Sequence, residues 1–179
     1  MTDQPQPIVP ASSWFWGRYA PLGLTVAVLT CLIDQANKWW MINVVDLPNR
    51  GEVPVLPFLN LKFTLNTGIS YSLFDMPAYE WQLTLAAVAV VASLALWTWL
   101  AQSATNKVMA VSLGLIIGGA IGNGIDRVLL QGVADFYRLH AFGYSWYIFN
   151  IADVAIVAGV AGLLYDLYLT SRKDAAKSL

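Results

Sequence analysis

Asp126, Asp135 and Asp153, with Asn123, Arg127 and Asn150 beside and between them, are the side chains of this sequence best equipped for chemistry. They follow and flank apolar runs, so they lie at the edge of segments composed for hydrocarbon. Ionisable groups at such a depth are expensive, face the protein interior or water, and mark a functional site by default. Two carboxylates held close together cannot both ionise easily and share a proton, so one acts as base on a water while the other donates. A structural alternative stands beside this reading. Asn123 and Arg127 are four residues apart and Asp126 lies three after Asn123, which also suits a helix-end cap with an Arg–Asp pair.

The composition narrows what these groups can serve. The chain is 58% hydrophobic and only 12% charged, with mean hydropathy +0.57, far below the charged fraction of a soluble domain. It reads as a membrane protein of one domain. A net charge of −1 leaves no basic stripe for nucleic acid. The single cysteine, Cys31, excludes an intramolecular disulfide and a Cys-based metal cluster. His140 is the lone histidine and completes no zinc-protease motif. Neither a G-x-S-x-G elbow nor a phosphate-binding loop occurs. If the chain is an enzyme, carboxylates are its best reagents.

Four stretches must position them. Residues 1–18 read as a disordered lead-in ending in an interfacial anchor, Trp14, Phe15, Trp16 and Arg18. Spans are expected at about 19–42, 81–100, 107–127 and 148–169, within one membrane domain of residues 19–171, followed by a basic tail, 172–179. Thr30-Cys31 resembles a lipoprotein cleavage box, but the apolar run continues past it, so the first span reads as a retained anchor. Asp34 and Lys38 share a helix face late in that span, as a self-neutralising pair or as part of a site. In the connection 43–80, Leu59, Leu61, Phe63 and Leu65 alternate with polar residues and predict a strand. Asn66-Thr67-Gly68 predicts a turn, and Ile69, Tyr71 and Leu73 a second strand.

Span two has no internal charge and reads as scaffold that adds nothing to the site. Gly114, Gly118 and Gly122, with Gly119 beside them, read as a close-packing face of span three. Residues 128–147 read as an aromatic interfacial loop carrying Asp135, in which His140 is a surface residue. The direction of each span provides a test of convergence. In an up-and-down bundle, Asp34 late in span one, Asn123 to Arg127 late in span three, and Asn150 and Asp153 early in span four all reach the same membrane face. The expected fold is an all-α membrane protein with four transmembrane helices, a small extracytoplasmic β-sheet and an amphipathic connection. Arg18, Lys107, Arg172, Lys173 and Lys177 against Arg50, Lys62 and Arg138 place the termini in the cytoplasm.

Read together, several fragments resemble the prolipoprotein signal peptidases, the signal peptidase II family. They are Asp34-Gln35-x-x-Lys38, Asn66-Thr67-Gly68, Gly118-Gly119-Ala120-x-Gly122-Asn123-x-x-Asp126-Arg127, Val133-x-Asp135-Phe136 and Phe149-Asn150-x-Ala152-Asp153. Their order covers the chain after its N-terminal tail. The resemblance implies that Asp135 and Asp153 form an aspartic-protease dyad in the bacterial cytoplasmic membrane, cleaving a signal peptide just before a diacylglyceryl-modified cysteine. It implies supporting or substrate-binding roles for Asp34, Lys38, Asn66, Gly119, Asn123, Asp126, Arg127 and Asn150. It calls for no metal and no cofactor, and its partners would be lipid-modified prolipoproteins and membrane lipid, met by a monomer. Ile69, Ser70, Tyr71 and Ala134 depart from the family's usual residues and bear on substrate fit. The rival from another class is a small ion- or proton-coupled transporter using the paired aspartates. A scaffold protein with a satisfied polar cap is the third reading.

Overall fold

The apolar stretches become four helices long enough to cross a membrane in the computed structural model, which describes residues 14–68 and 78–177. In chain order the elements are α1 (Ala20–Asn43), a short α2 (Leu47–Arg50), β1 (Val53–Leu56), β2 (Leu59–Asn66), α3 (Tyr79–Ser103), α4 (Lys107–Leu130), β3 (Val133–Ala141), β4 (Tyr144–Phe149) and α5 (Ile151–Lys177). Pro21 opens α1 in the first turn, where its missing N–H has no helical partner to lose. Asn106 caps α4 by accepting from the Met109 N–H at 3.0 Å. At its other end Gln131 takes a left-handed conformation, φ 60°, that turns the chain out of the helix and into β3.

α4 is the central helix. It packs against α1, α3 and α5 and is the most buried of the four. Its glycines make that possible, as their spacing predicts. A methyl on Gly118 would collide with the Ala27 carbonyl of α1, and one on Gly119 would come within 2.6 Å of the Ala152 carbonyl of α5. Ala20, Ala27, Leu100, Met109, Leu113 and Ile117 fill the space between α1, α3 and α4. On the other sides Leu29 and Ile33 of α1, Val88 and Val91 of α3, and Val157 and Leu164 of α5 are exposed. Apolar faces of that extent on helices of spanning length belong against lipid.

The two connections at the site's end join into one antiparallel sheet, ordered β1-β2-β3-β4. β2 occupies the predicted alternating stretch. The expected second strand at Ile69, Tyr71 and Leu73 lies outside the described residues. Residues 133–149 form a hairpin instead of the expected aromatic loop. Their aromatic side chains suit a half-buried pleated surface as well as a membrane interface. Met41, Leu47, Ala134 and Phe136 make a second core beneath this sheet. Because Ile148 and Phe149 end β4, α5 begins at Ile151, later than the expected 148. The fold is thus mostly helical, with four membrane helices and a small sheet.

Candidate active site

The pairing of β2 with β3 sets Thr64 opposite Asp135 and Asn66 opposite Val133. Side chains two apart share a face of a strand, so Asn66 projects on the same face as the residue opposite Asp135. Its carboxamide is fixed by the turn that follows. The side-chain carbonyl accepts from the Gly68 N–H at 3.1 Å, leaving the NH2 to donate to Asp135 Oδ2 at 3.4 Å and to the Tyr147 hydroxyl at 3.4 Å.

Asp153 arrives from a different element, the first turn of α5. Asn150, fully buried just before that helix, connects the two carboxylates. Its Nδ2 donates to Asp135 Oδ1 at 2.7 Å, and its backbone N–H donates to Asp153 Oδ2 at 3.2 Å. The Asn150 side-chain carbonyl accepts from the Asp153 N–H at 2.9 Å, a reciprocal capping arrangement that opens α5. Asn123 on α4 donates its Nδ2 to Asp153 Oδ1 at 3.0 Å, while its carbonyl accepts from Asn150 Nδ2 at 3.1 Å. Each carboxylate therefore receives donors on both oxygens. Asp135 is 2% exposed. Burial first, and the neighbouring Asp153 charge second, push its carboxyl up to about 7.

Beneath this pair lies a charged knot. Lys38 Nζ meets Asp34 at 2.8 Å and Asp126 at 2.7 Å, and donates to Asn123 Oδ1 at 3.0 Å. The Asp34–Lys38 pair is therefore more than self-neutralising. Asp34 also accepts from the Ala152 N–H at 2.9 Å, and Asp126 from the Ala134 N–H at 3.1 Å. In this way the knot ties α1 and α4 to the two segments that carry Asp153 and Asp135. Gly122 makes room for it, since a methyl there would sit 2.6 Å from Asp34 Oδ2. Arg127 donates to the Asn123 backbone carbonyl at 3.1 Å and to the Gly68 backbone carbonyl at 3.4 Å, holding the turn after β2. Every residue expected at the site is thus within one connected set, with Gly119 entering through helix packing alone.

Three participants were not expected. Gln35 donates to Asp126 Oδ1 at 2.9 Å and to the Gly122 carbonyl at 3.1 Å. Tyr147 stood among the belt aromatics, yet its hydroxyl accepts from Asn66. Gln82 corrects the reading of span two as mere scaffold: it is fully buried on α3 and donates to the Thr67 carbonyl at 2.6 Å. Asp166 accepts from Asn106 at 2.8 Å, remote from the site. His140 faces Asn60 across the sheet at 3.0 Å and takes no part.

Two grooves meet at the carboxylates. One, of about 320 Å³, runs between α3, α4 and α5 and is lined by Asn66, Val88, Arg127, Asp135, Tyr147 and Asp153 among others. The other, of about 440 Å³, runs between the β3–β4 hairpin and α5 past Leu139, Phe149 and Val157. Tyr147 and Asp153 border both. The site is therefore a pair of carboxylates opening sideways onto one groove of mixed polarity and one mostly apolar groove.

A sequence model of the family described as "Signal peptidase (SPase) II" matches residues 26–169. The chain belongs to the signal peptidase II family. It is 47% identical over 156 residues to a lipoprotein signal peptidase of Methylobacterium sp. (strain 4-46), covering 87% of this chain and 94% of the relative. It is 48% identical over 149 residues to that of Beijerinckia indica subsp. indica, covering 82% and 87%. The fold matches that of a bacterial membrane enzyme solved by the in meso method at 1.9 Å resolution, with TM-score 0.71 and 28% identity over 86% of this chain and 96% of that one. As a member of signal peptidase II the chain is a protease and a multi-pass bacterial membrane protein. The transporter reading finds no support in these matches.

Proposed function

We propose that this chain is an aspartic endopeptidase that removes the signal peptide of diacylglyceryl-modified prolipoproteins, with Asp135 and Asp153 as its reagents. The observation that carries the reading is the convergence on Asn150. One buried residue donates to both carboxylates, 2.7 Å to one and 3.2 Å to the other, beside the two grooves that Asp153 borders.

In this mechanism one carboxyl of the pair is protonated and the other ionised. The ionised one takes a proton from water as the water oxygen bonds to the scissile carbonyl carbon, while the protonated one gives its proton to the carbonyl oxygen. The resulting tetrahedral diol collapses by breaking the C–N bond. The carboxyl that took the water's proton passes it to the departing nitrogen, and the other recovers a proton from the diol. Water is the sole co-reactant. Asn66, Asn123 and Asn150 hold the carboxylates in register, and Arg127 orders the turn that borders the groove. Asp34, Lys38, Gln35 and Asp126 brace the frame. The grooves suit an apolar signal segment and acyl chains.

Arg18, Lys107, Arg172, Lys173 and Lys177 at one end, against Arg50, Lys62 and Arg138 at the other, favour cytoplasmic termini and a site near the outer face of the cytoplasmic membrane. A monomer contains the whole set of groups. The test uses purified protein and a lipid-modified prolipoprotein. Replacing Asp135 or Asp153 singly by Asn should abolish cleavage with the fold retained. Turnover retained in both variants would overturn the dyad, and an unmodified precursor cleaved as fast as the lipidated one would overturn the lipid requirement.

A further inference from the structure

The free ends of the two hairpins lie side by side. Leu59 pairs with Leu139, and the His140 N–H donates to the Phe58 carbonyl at 3.0 Å, so the β1–β2 tip and the β3–β4 tip form one edge. That edge is apolar and bare. Leu56 is 45% exposed, Phe58 52%, Tyr144 79% and Phe142 100%. Polar side chains near it are turned to one another: Arg138 holds Glu52 at 2.6 Å and Ser145 at 2.9 Å, and His140 meets Asn60.

Phe142 is a costly choice for its position. It has φ 52° and Gly143 has φ 80°, the pair of left-handed residues that a two-residue hairpin turn requires and that Asn-Gly serves best. A phenylalanine there strains the backbone. Fully exposed, it gains no contact inside the protein in return. Something outside the chain must receive it.

The neighbouring surface indicates what that is. Leu139 and Phe149 of the hairpin face Val154, Val157 and Ala161 of α5 across the apolar groove. Val154 and Val157 are themselves exposed, on the side of α5 that faces lipid. Apolar side chains therefore lead from the lipid-facing side of a membrane helix, through Leu139 and Phe149 of the hairpin, toward the edge that carries Phe142. We propose that the paired tips, Leu56–Phe58 and Phe142–Tyr144, dock into the lipid surface of the same bilayer, in the leaflet at the site's end. Aromatic side chains with apolar bodies suit that boundary. The sheet is then pinned at both ends, by the bundle through β2 and β3 and by lipid through its tips, which keeps the groove beside α5 at acyl-chain level. This docking does not depend on the reaction assigned above.

The experiment places a fluorophore at the tip of the full-length protein. Cys31→Ser removes the native thiol, and Phe142→Cys is labelled with an environment-sensitive dye in phosphatidylcholine–phosphatidylglycerol nanodiscs with or without bromine on the acyl chains. Lys62→Cys, on the exposed polar side of β2, is the reference. The tip label should be quenched about threefold by brominated lipid and emit to the blue of the reference, as an interfacial insertion requires. A label at Phe58→Cys should lose about half of its own quenching when Phe142→Asn is added, because Asn keeps the turn and removes the inserting ring. Quenching at the tip no greater than at Lys62 would overturn the proposal. So would a tip label shielded from water but untouched by brominated lipid, which would assign the edge to a protein partner.

Discussion

Replacing Lys38 by Met should be far more damaging than replacing either of its acidic partners. Lys38 is 3% exposed, Asp34 0% and Asp126 2%, and the ammonium stands 2.8 Å and 2.7 Å from the two carboxylates. Methionine keeps the volume of the stem but leaves the two buried carboxylates that Lys38 joined without a cation. Breaking a buried pair by removing one partner costs about 3–5 kcal/mol. Four bonds survive on those carboxylates, from Ala152 N–H, Ala134 N–H and Gln35 Nε2, which reaches both Asp126 and Asp34, so the lower half of that range is expected. Asp126→Asn alone leaves Lys38 with Asp34 as a neutral pair and should cost only about 1 kcal/mol, the worth of an ordinary hydrogen bond. Adding Asp126→Asn to Lys38→Met removes the repulsion and should restore at least about 1 kcal/mol, as expected of coupled neighbours. Unfolding by denaturant in detergent micelles, followed by tryptophan fluorescence, provides the three differences. A Lys38→Met loss below about 1 kcal/mol, or a double variant equal to the sum of the singles, would refute the account of Lys38 as the shared counter-charge.

Other expectations follow from the same geometry. Asp135 holds its proton up to about pH 7, above the ordinary carboxyl value of about 3.9. The stability this proton brings is complete below about pH 4 and gone above about pH 7. For the proposed dyad kcat/KM should fall as pH rises through about 7, and Asp153→Asn should lower the midpoint of the Asp135 carboxyl band in infrared titration. A parent band titrating near 4 would contradict this. Gly119→Ala places a methyl 2.6 Å from the Ala152 carbonyl and 2.8 Å from Ile156. It should lose about 1–3 kcal/mol by overpacking. Gly124→Ala, whose nearest neighbour would be Ala89 at 3.7 Å, should be near neutral in the same denaturant unfolding. Tyr147→Phe removes an acceptor from Asn66 and should reduce kcat about fivefold, equivalent to about 1 kcal/mol, with an unchanged melting curve. An unaltered kcat would leave Tyr147 as packing.

Much of this was legible because hydropathy and spacing are local. Four apolar runs, the glycine face of α4 and the i, i+4 pair of Asp34 and Lys38 are visible within one segment. The alternation of residues 59–65 declared β2 in the same way. What escaped was long-range. Residues 133–149 carry aromatics that serve an interfacial belt and a strand equally, and only their pairing with β2 decides between them. The third member of the charged knot, Asp126, is on another helix, so its bond to Lys38 has no signature in either stretch. Gln35 lay inside a recognised fragment yet drew no attention, because a neutral amide between charged neighbours looks like spacing. Ala134 departs from a larger aliphatic residue, and the structure gives it a fully buried place beside Phe136 with its N–H on Asp126.

The pairing of β2 with β3 also bears on how the molecule comes into being. Asn66 and Asp135 are 69 residues apart in sequence, and Asp34 and Ala152 are 118 apart. Between the strands lie two complete membrane helices, and Asp153 waits in the first turn of the last one. During synthesis the early segments must therefore sit in the bilayer with half a sheet until β3 and β4 follow α4, and Asp135 must wait for Asp153 until the final helix is delivered. With Asp135 and Asp153 as the proposed reagents, activity would begin only when the last span is in place, and a chain truncated before α5 should be inert in the membrane.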